Sequence, residues 1–182
     1  MTKDEAMHLI KTNVKNKNLI KHMIASSACM RNLARYFGED EDLWEITGLL
    51  HDIDYDLTAK DTSKHGIMGA QMLEAIGGID ERIINAVRIH VRYVESGSRM
   101  EKALFAVDPL TGLIVAATLM HPAKKLKNVD TQFVLNRFKE KSFASGANRD
   151  NIRRCEEIGL SLNDFISISL ESMKSVSDEL EL

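Results

Sequence analysis

From Leu162 onward the apolar residues return in steps of three and four: Phe165, Ile166, Leu170, Met173, Val176 and Leu180. On a helix of about 3.6 residues per turn these steps align into one stripe, whereas a strand would bury alternate residues. Ser161 stands just before the run, where its hydroxyl can cap the first turn. The chain has only two prolines in 182 residues and few aromatics, and it is rich in Leu, Ile, Met and Ala. An all-α fold follows, with the C-terminal stripe read as core packing.

Helix stops divide the rest of the chain. The pattern predicts helices over about 4 to 14, 18 to 37 ending at Gly38, 41 to 52, and 64 to 76 ending at Gly77 and Gly78. Further helices are expected over about 80 to 94, 100 to 120 with Pro109 interrupting, 130 to 139 and 148 to 158, with the last starting at 162. ESGSR at 95 to 99 and KSFASGANR at 141 to 149 read as loops, and the terminal SDELEL as a frayed, solvated tail.

Hydrophobic residues make up 44% and charged residues 28%, without a break in composition, so one globular domain spanning 1–182 is expected. The net charge of −3 argues against the dense basic face of a duplex binder, and no obligate nucleic-acid partner is expected. Cys29 and Cys155 lack metal or redox spacing and read as reduced, buried thiols. The N-terminus has no apolar signal core, and LIVAATLM at 113 to 120 is too short to span a bilayer. A cytoplasmic protein without a membrane partner is expected, and nothing in the pattern fixes an oligomeric state.

The stretch LLHDIDYD, 49 to 56, ends an apolar run on His51, Asp52, Asp54 and Asp56. His51 and Asp52 diverge by roughly 100° on a regular helix, so both can face one ion only where the helix ends. Taken singly, the other candidates have plain readings. His22 in LIKHMIASSACM fits a hydrogen-bonded core histidine, and Asp108 before Pro109 fits an N-cap. His8 and His121 read as isolated histidines.

The order His22, His51-Asp52, Asp108, each on a separate predicted helix, resembles the H…HD…D pattern of the HD-domain superfamily. The likeness is to stand-alone HDIG-type metal-dependent phosphohydrolases, with Asp54 replacing the glycine of that label. It implies a single-domain helical bundle with a core over about 16 to 120 and a helical extension over about 130 to 180, where KEKSFASGANRDNI also resembles a motif of related members. It further implies one metal ion on His22, His51, Asp52 and Asp108, and a second on Asp52, His65 and His90. Val91 after His90 and the missing GYP signature depart from the HD-GYP phosphodiesterases. Tyr55 stands three residues after Asp52, where some members carry lysine.

Mixed nitrogen and oxygen ligands suit Mn, Fe, Co, Ni or Zn better than Mg. One or two such divalent ions would acidify a water for attack on a phosphate ester or anhydride. The expected substrate is a small phosphorylated metabolite or nucleotide. Asp52, Asp54 and Asp56 are the candidate catalytic acids, with Lys139, Lys141 and Arg149 on the substrate phosphates. The same six ligands also resemble the di-iron HD oxygenases, and a non-catalytic HD module that keeps its metal is a third reading.

Overall fold

A computed structural model describes residues 1–182, and it is built from helices alone, with no strand. In chain order the helices are α1 (Lys3–Asn13), α2 (Lys17–Phe37), α3 (Glu41–Leu50), α4 (Tyr55–Thr58), α5 (Ile67–Ile76), α6 (Glu81–Ile89), α7 (Arg99–Met120), α8 (Thr131–Lys139), α9 (Arg149–Arg153), α10 (Leu162–Ser175) and α11 (Ser177–Leu180). Local chemistry explains most starts. Thr2 with Glu5 and Ser98 with Glu101 form reciprocal capping boxes, while Asn16, Asp40 and Ser161 each accept an amide of the first turn. Gly38, at φ +69°, supplies the left-handed residue that ends α2 and turns the chain into α3.

The core surrounds α2. Helices α3, α7 and α10 pack against it, α5 pairs with α6, and α9 lies on α7. Met23, Met30, Leu33, Trp44, Leu49, Leu50, Leu104, Leu110 and Phe165 are fully buried in one continuous apolar cluster that reaches from Ala6 to Leu180. Cys29 and Cys155 are buried and unpaired.

Three expectations change. Pro109 does not interrupt α7, because the turns on both sides are held by burial of Leu104, Phe105, Val107, Leu110 and Leu113, which outweighs one missing amide. The tail is not frayed: α11 buries Leu180, and Glu181 accepts from Lys21 Nζ at 2.6 Å. The stretch 148 to 158 is a single α turn followed by a tighter 3₁₀ turn at Arg154–Ile158. The 22-residue helix α7 is long and apolar enough to cross a bilayer, although the run 113 to 120 alone is not, and 61% of its most apolar window is buried within the fold.

Candidate metal centre

Backbone contact between α2 and α3 sets the centre's first dimension. A Cβ on Gly48 would stand 2.8 Å from the Ser26 carbonyl oxygen and 2.9 Å from Ser27 Cα, so only glycine lets these helices touch there. His22 lies one turn before Ser26, and His51 lies one turn after Gly48. The crossing therefore brings the two imidazoles together, with Nε2 atoms 3.1 Å apart.

Helix α3 ends at Leu50, two residues before the expected stop, and the following turn frees Asp52 to point inward. His65 sits in extended backbone between a 3₁₀ turn and α5, His90 just past the end of α6, and Asp108 inside α7. Asp108 is thus not an N-cap.

The six side chains form two groups that share Asp52. Asp52 Oδ2 lies 3.5 Å from both His22 Nε2 and His51 Nε2, and Asp108 Oδ1 lies 3.1 Å from His22 Nε2. On the other side, Asp52 Oδ1 lies 3.1 Å from His65 Nε2 and 3.3 Å from His90 Nε2. Ligand atoms of His22, His51 and Asp108 all fall within 4.8 Å of one another, as do those of Asp52, His65 and His90.

Each imidazole is tethered through its other nitrogen. His51 Nδ1 donates to the Gly48 carbonyl at 2.8 Å, and His90 Nδ1 to the Val87 carbonyl at 2.7 Å. His65 Nδ1 donates to Asp54 Oδ1 at 2.8 Å. The Thr111 hydroxyl gives its proton to the Asp108 carbonyl, which leaves its oxygen to accept from His22 Nδ1 at 2.9 Å. These four bonds assign the same tautomer to all four rings, and every Nε2 lone pair faces inward. His90 Nε2 is buried and makes no hydrogen bond. Converging lone pairs and two carboxylates, with no lysine or arginine among their partners, repel one another unless a cation lies between them. The donor set fits one or two divalent ions, which His22, His51 and Asp108 would hold on one side and His65 and His90 on the other, with Asp52 available to both.

The electrostatics agree. Burial resists charge on Asp52, but His51, His65, His90 and His22 hold its carboxyl well below the usual range. Burial likewise opposes, and His22 outweighs, in keeping Asp108 low. Burial pushes His51 down, toward the neutral ring a metal needs. His22 is raised against its burial by Asp108 and Asp52, and His65 is raised to about 9 against its burial by Asp52 and Asp54. A divalent ion would take the place of those protons.

Asp54 is fully buried beside the centre but is not a free acid. Besides His65, it accepts the amides of Gly66 at 2.9 Å and Gly69 at 2.8 Å, and a Cβ on Gly69 would stand 3.3 Å from its carboxyl carbon. Burial works against its charge, yet His65 and the two amides keep it ionised below the ordinary carboxylate range. It orients His65 and has no proton to give. Asp56 turns away: its Oδ2 accepts the amides of Lys15 at 2.7 Å and Asn16 at 3.3 Å, tying α4 to the start of α2.

The expected phosphate grip at Arg149 is also corrected. Its guanidinium donates to the carbonyls of Ala144 at 2.7 Å, Ala147 at 2.6 Å, Phe143, Phe138, Glu140 and Arg137, so its donors are spent on the loop itself. Lys139 and Lys141 are exposed, and neither is among the charged partners of the six-residue cluster. His8 is exposed, and His121 accepts the Ala123 amide away from the centre. Thr111 and Gly48 escaped the sequence reading. A hydroxyl three residues after Asp108, on the same helix face, was the available signal for the first.

The family model of the HD domain matches residues 19–126. Ribonuclease Y of Sulfurovum sp. (strain NBC37-1) is 26% identical over 168 residues, covering 91% of this chain and 33% of that protein. Ribonuclease Y of Enterococcus faecalis (strain ATCC 700802 / V583) is 27% identical over 170 residues, 91% of this chain and 32% of that protein. Ribonuclease Y of Thermobifida fusca (strain YX) is 28% identical over 96 residues, 53% of this chain and 19% of that protein. The chain thus spans about a third or less of the length of these relatives. No solved structure matches it.

These relatives overturn the expectation of a small phosphorylated substrate without a nucleic-acid partner, since each is by name a ribonuclease. Net charge misled because it is a sum: Lys124, Lys125 and Lys127 cluster on an exposed turn despite the acidic total. The helical architecture, the ordered cluster and a family match over more than half of the chain agree, and the chain belongs to the HD-domain family.

Proposed function

We propose that this chain hydrolyses phosphodiester bonds of RNA at a two-metal centre held by His22, His51, Asp52, His65, His90 and Asp108. The observation that carries this reading is the division of Asp52, one carboxylate oxygen toward each set of inward-facing imidazoles. When bound, divalent ions at such a site supply an acidified water and neutralise charge on the phosphoryl oxygens.

The chain's own residues set access and aim. His51 and His90 are sealed from solvent, whereas the His22 and Asp108 side chains are 22% and 34% exposed. A scissile phosphate therefore arrives past His22 and Asp108, with His65 and His90 behind the bridge. Asp54 and Thr111 hold rings that would otherwise rotate about χ2, which keeps the ligand geometry ready before substrate arrives. Asp52, buried and ionised, offers its two oxygens to the ring nitrogens on either side and not to bulk water.

The ribonuclease relatives favour hydrolysis over the di-iron oxygenase and over a module without catalysis, although the same six ligands would serve all three. The test is incubation of Mn-loaded protein with end-labelled single-stranded RNA, in air and without oxygen. Cleavage that EDTA abolishes and that proceeds equally without oxygen is expected. Intact RNA, or turnover that requires oxygen, would overturn the reading.

A further inference from the structure

Beside the centre lies a cavity of about 400 Å³, within the range of about 300–1,000 Å³ typical of small-molecule sites. It opens between the start of α2, one face of α7 and residues 180 to 182. His22 and its partner Thr111 line the cavity, and His22 also faces the metal centre through Nε2, so the two spaces adjoin across that ring.

Its walls are apolar, formed by Ala25, Val115, Leu119 and Leu180, and Leu119 is left 52% exposed at the rim. Gly112 lies on the same face of α7. Glycine weakens a helix interior, and elsewhere in this chain close contact explains it, as at Gly48. At Gly112 an added Cβ would meet nothing within 4 Å. No neighbour requires a glycine there, and at this exposed position its effect is to keep the mouth of the cavity wide.

The polar groups are few and placed at the entrance. Asn18 spends no side-chain group on an intramolecular hydrogen bond and can pair with the edge of a ring. Lys21 Nζ holds the exposed carboxylate of Glu181 at 2.6 Å, a partner that a phosphate can displace. An apolar slot with one free amide and one exchangeable cation, adjoining the proposed two-metal centre at His22, matches a nucleotide.

We propose that this cavity seats the base of the nucleotide flanking the scissile phosphate of an RNA strand, with Lys21 taking the next phosphate. The inference rests on the phosphodiesterase reading above, and its test uses binding without turnover.

Metal-free protein in EDTA is titrated by calorimetry with UMP, ribose 5-phosphate and the dinucleotide UpU. UMP is expected to bind about 10-fold tighter than ribose 5-phosphate, the size of one base contact, and UpU tighter still. Gly112→Leu and Leu119→Trp each narrow the mouth, from positions two turns apart on α7. Each should erase the preference for UMP while circular dichroism melts and metal content on reloading stay close to wild type. Two variants at separate positions guard against one that fails to fold.

Equal affinity of wild type for UMP and ribose 5-phosphate overturns the proposal, as does a preference that survives both substitutions. UpU binding no tighter than UMP overturns the strand as occupant. Because no cleavage is read, loss of the base preference and failure of RNA hydrolysis are separate results.

Discussion

At Arg149 six main-chain carbonyls face one guanidinium, while around Asp52 four imidazole nitrogens and two carboxylates face one another with no lysine or arginine between them. Both regions gather acceptors in a partly or fully buried place, where an unpaired acceptor is costly. In the loop before α9 the chain brings its own cation, and the result is a fixed turn. Beside α3 it brings none, and the result is a site that an external cation completes. Whether convergent acceptors serve structure or chemistry is decided by who supplies the positive charge.

Changing Asp52 to Asn should test the second region most severely. It removes the bridging charge from both sets, and RNA hydrolysis should fall by about 10³-fold, with metal content by elemental analysis dropping to one ion or fewer. A variant that keeps two ions and full rate would break the contrast.

The first region should answer differently. Arg149→Met leaves the loop carbonyls without their donor and should cost about 2–4 kcal/mol in urea unfolding, with bound metal unchanged. Arg149→Lys should recover little, because an ammonium cannot serve acceptors spread around a planar fork. Arg149→Met that melts normally but binds substrate weakly would return this residue to the site.

Asp54→Asn probes the contact between a ligand and its support. The amide keeps one acceptor for His65 Nδ1 but loses charge and the single oxygen, Oδ2, that accepts both the Gly66 and Gly69 amides. Affinity should fall about 10–100-fold for the ion near His65 and His90, and little for the ion near His22, as read by competitive chelation. Equal weakening of both would mean that Asp54 acts on the fold instead. The smallest effect is expected for Asp56→Asn, about 0.5–1.5 kcal/mol of stability from the tie to Lys15 and Asn16, with hydrolysis unchanged.

The helices were legible because their stripes and caps are local. The stripe from Leu162 needs only its own spacing, and Ser161 caps it as expected, with Asp164 as the partner amide. Pro109 and the terminal SDELEL misled because their outcome depends on burial against α2, which lies far away in sequence.

The ligand order was visible through its family resemblance, and the structure does bring those six side chains together. The roles of the neighbouring charges were not visible. Asp54 and Asp56 are two residues apart and chemically identical, yet one meets His65 and the Gly66 and Gly69 amides while the other meets the loop before α2. Arg149 looked free because the carbonyls it serves belong to every residue type and leave no mark on the sequence. The partner class was misjudged because a net charge carries no positions.

The absence of a side chain at residue 48 has a mechanical meaning. Two backbones in direct touch form a hard stop, so the spacing of the rings at 22 and 51 is set by main chain against main chain and not by the fit of interior side chains such as Leu49 or Met30. An alanine at 48 would act as a shim a fraction of an ångström thick, prising the two rings apart with no change to any ligand.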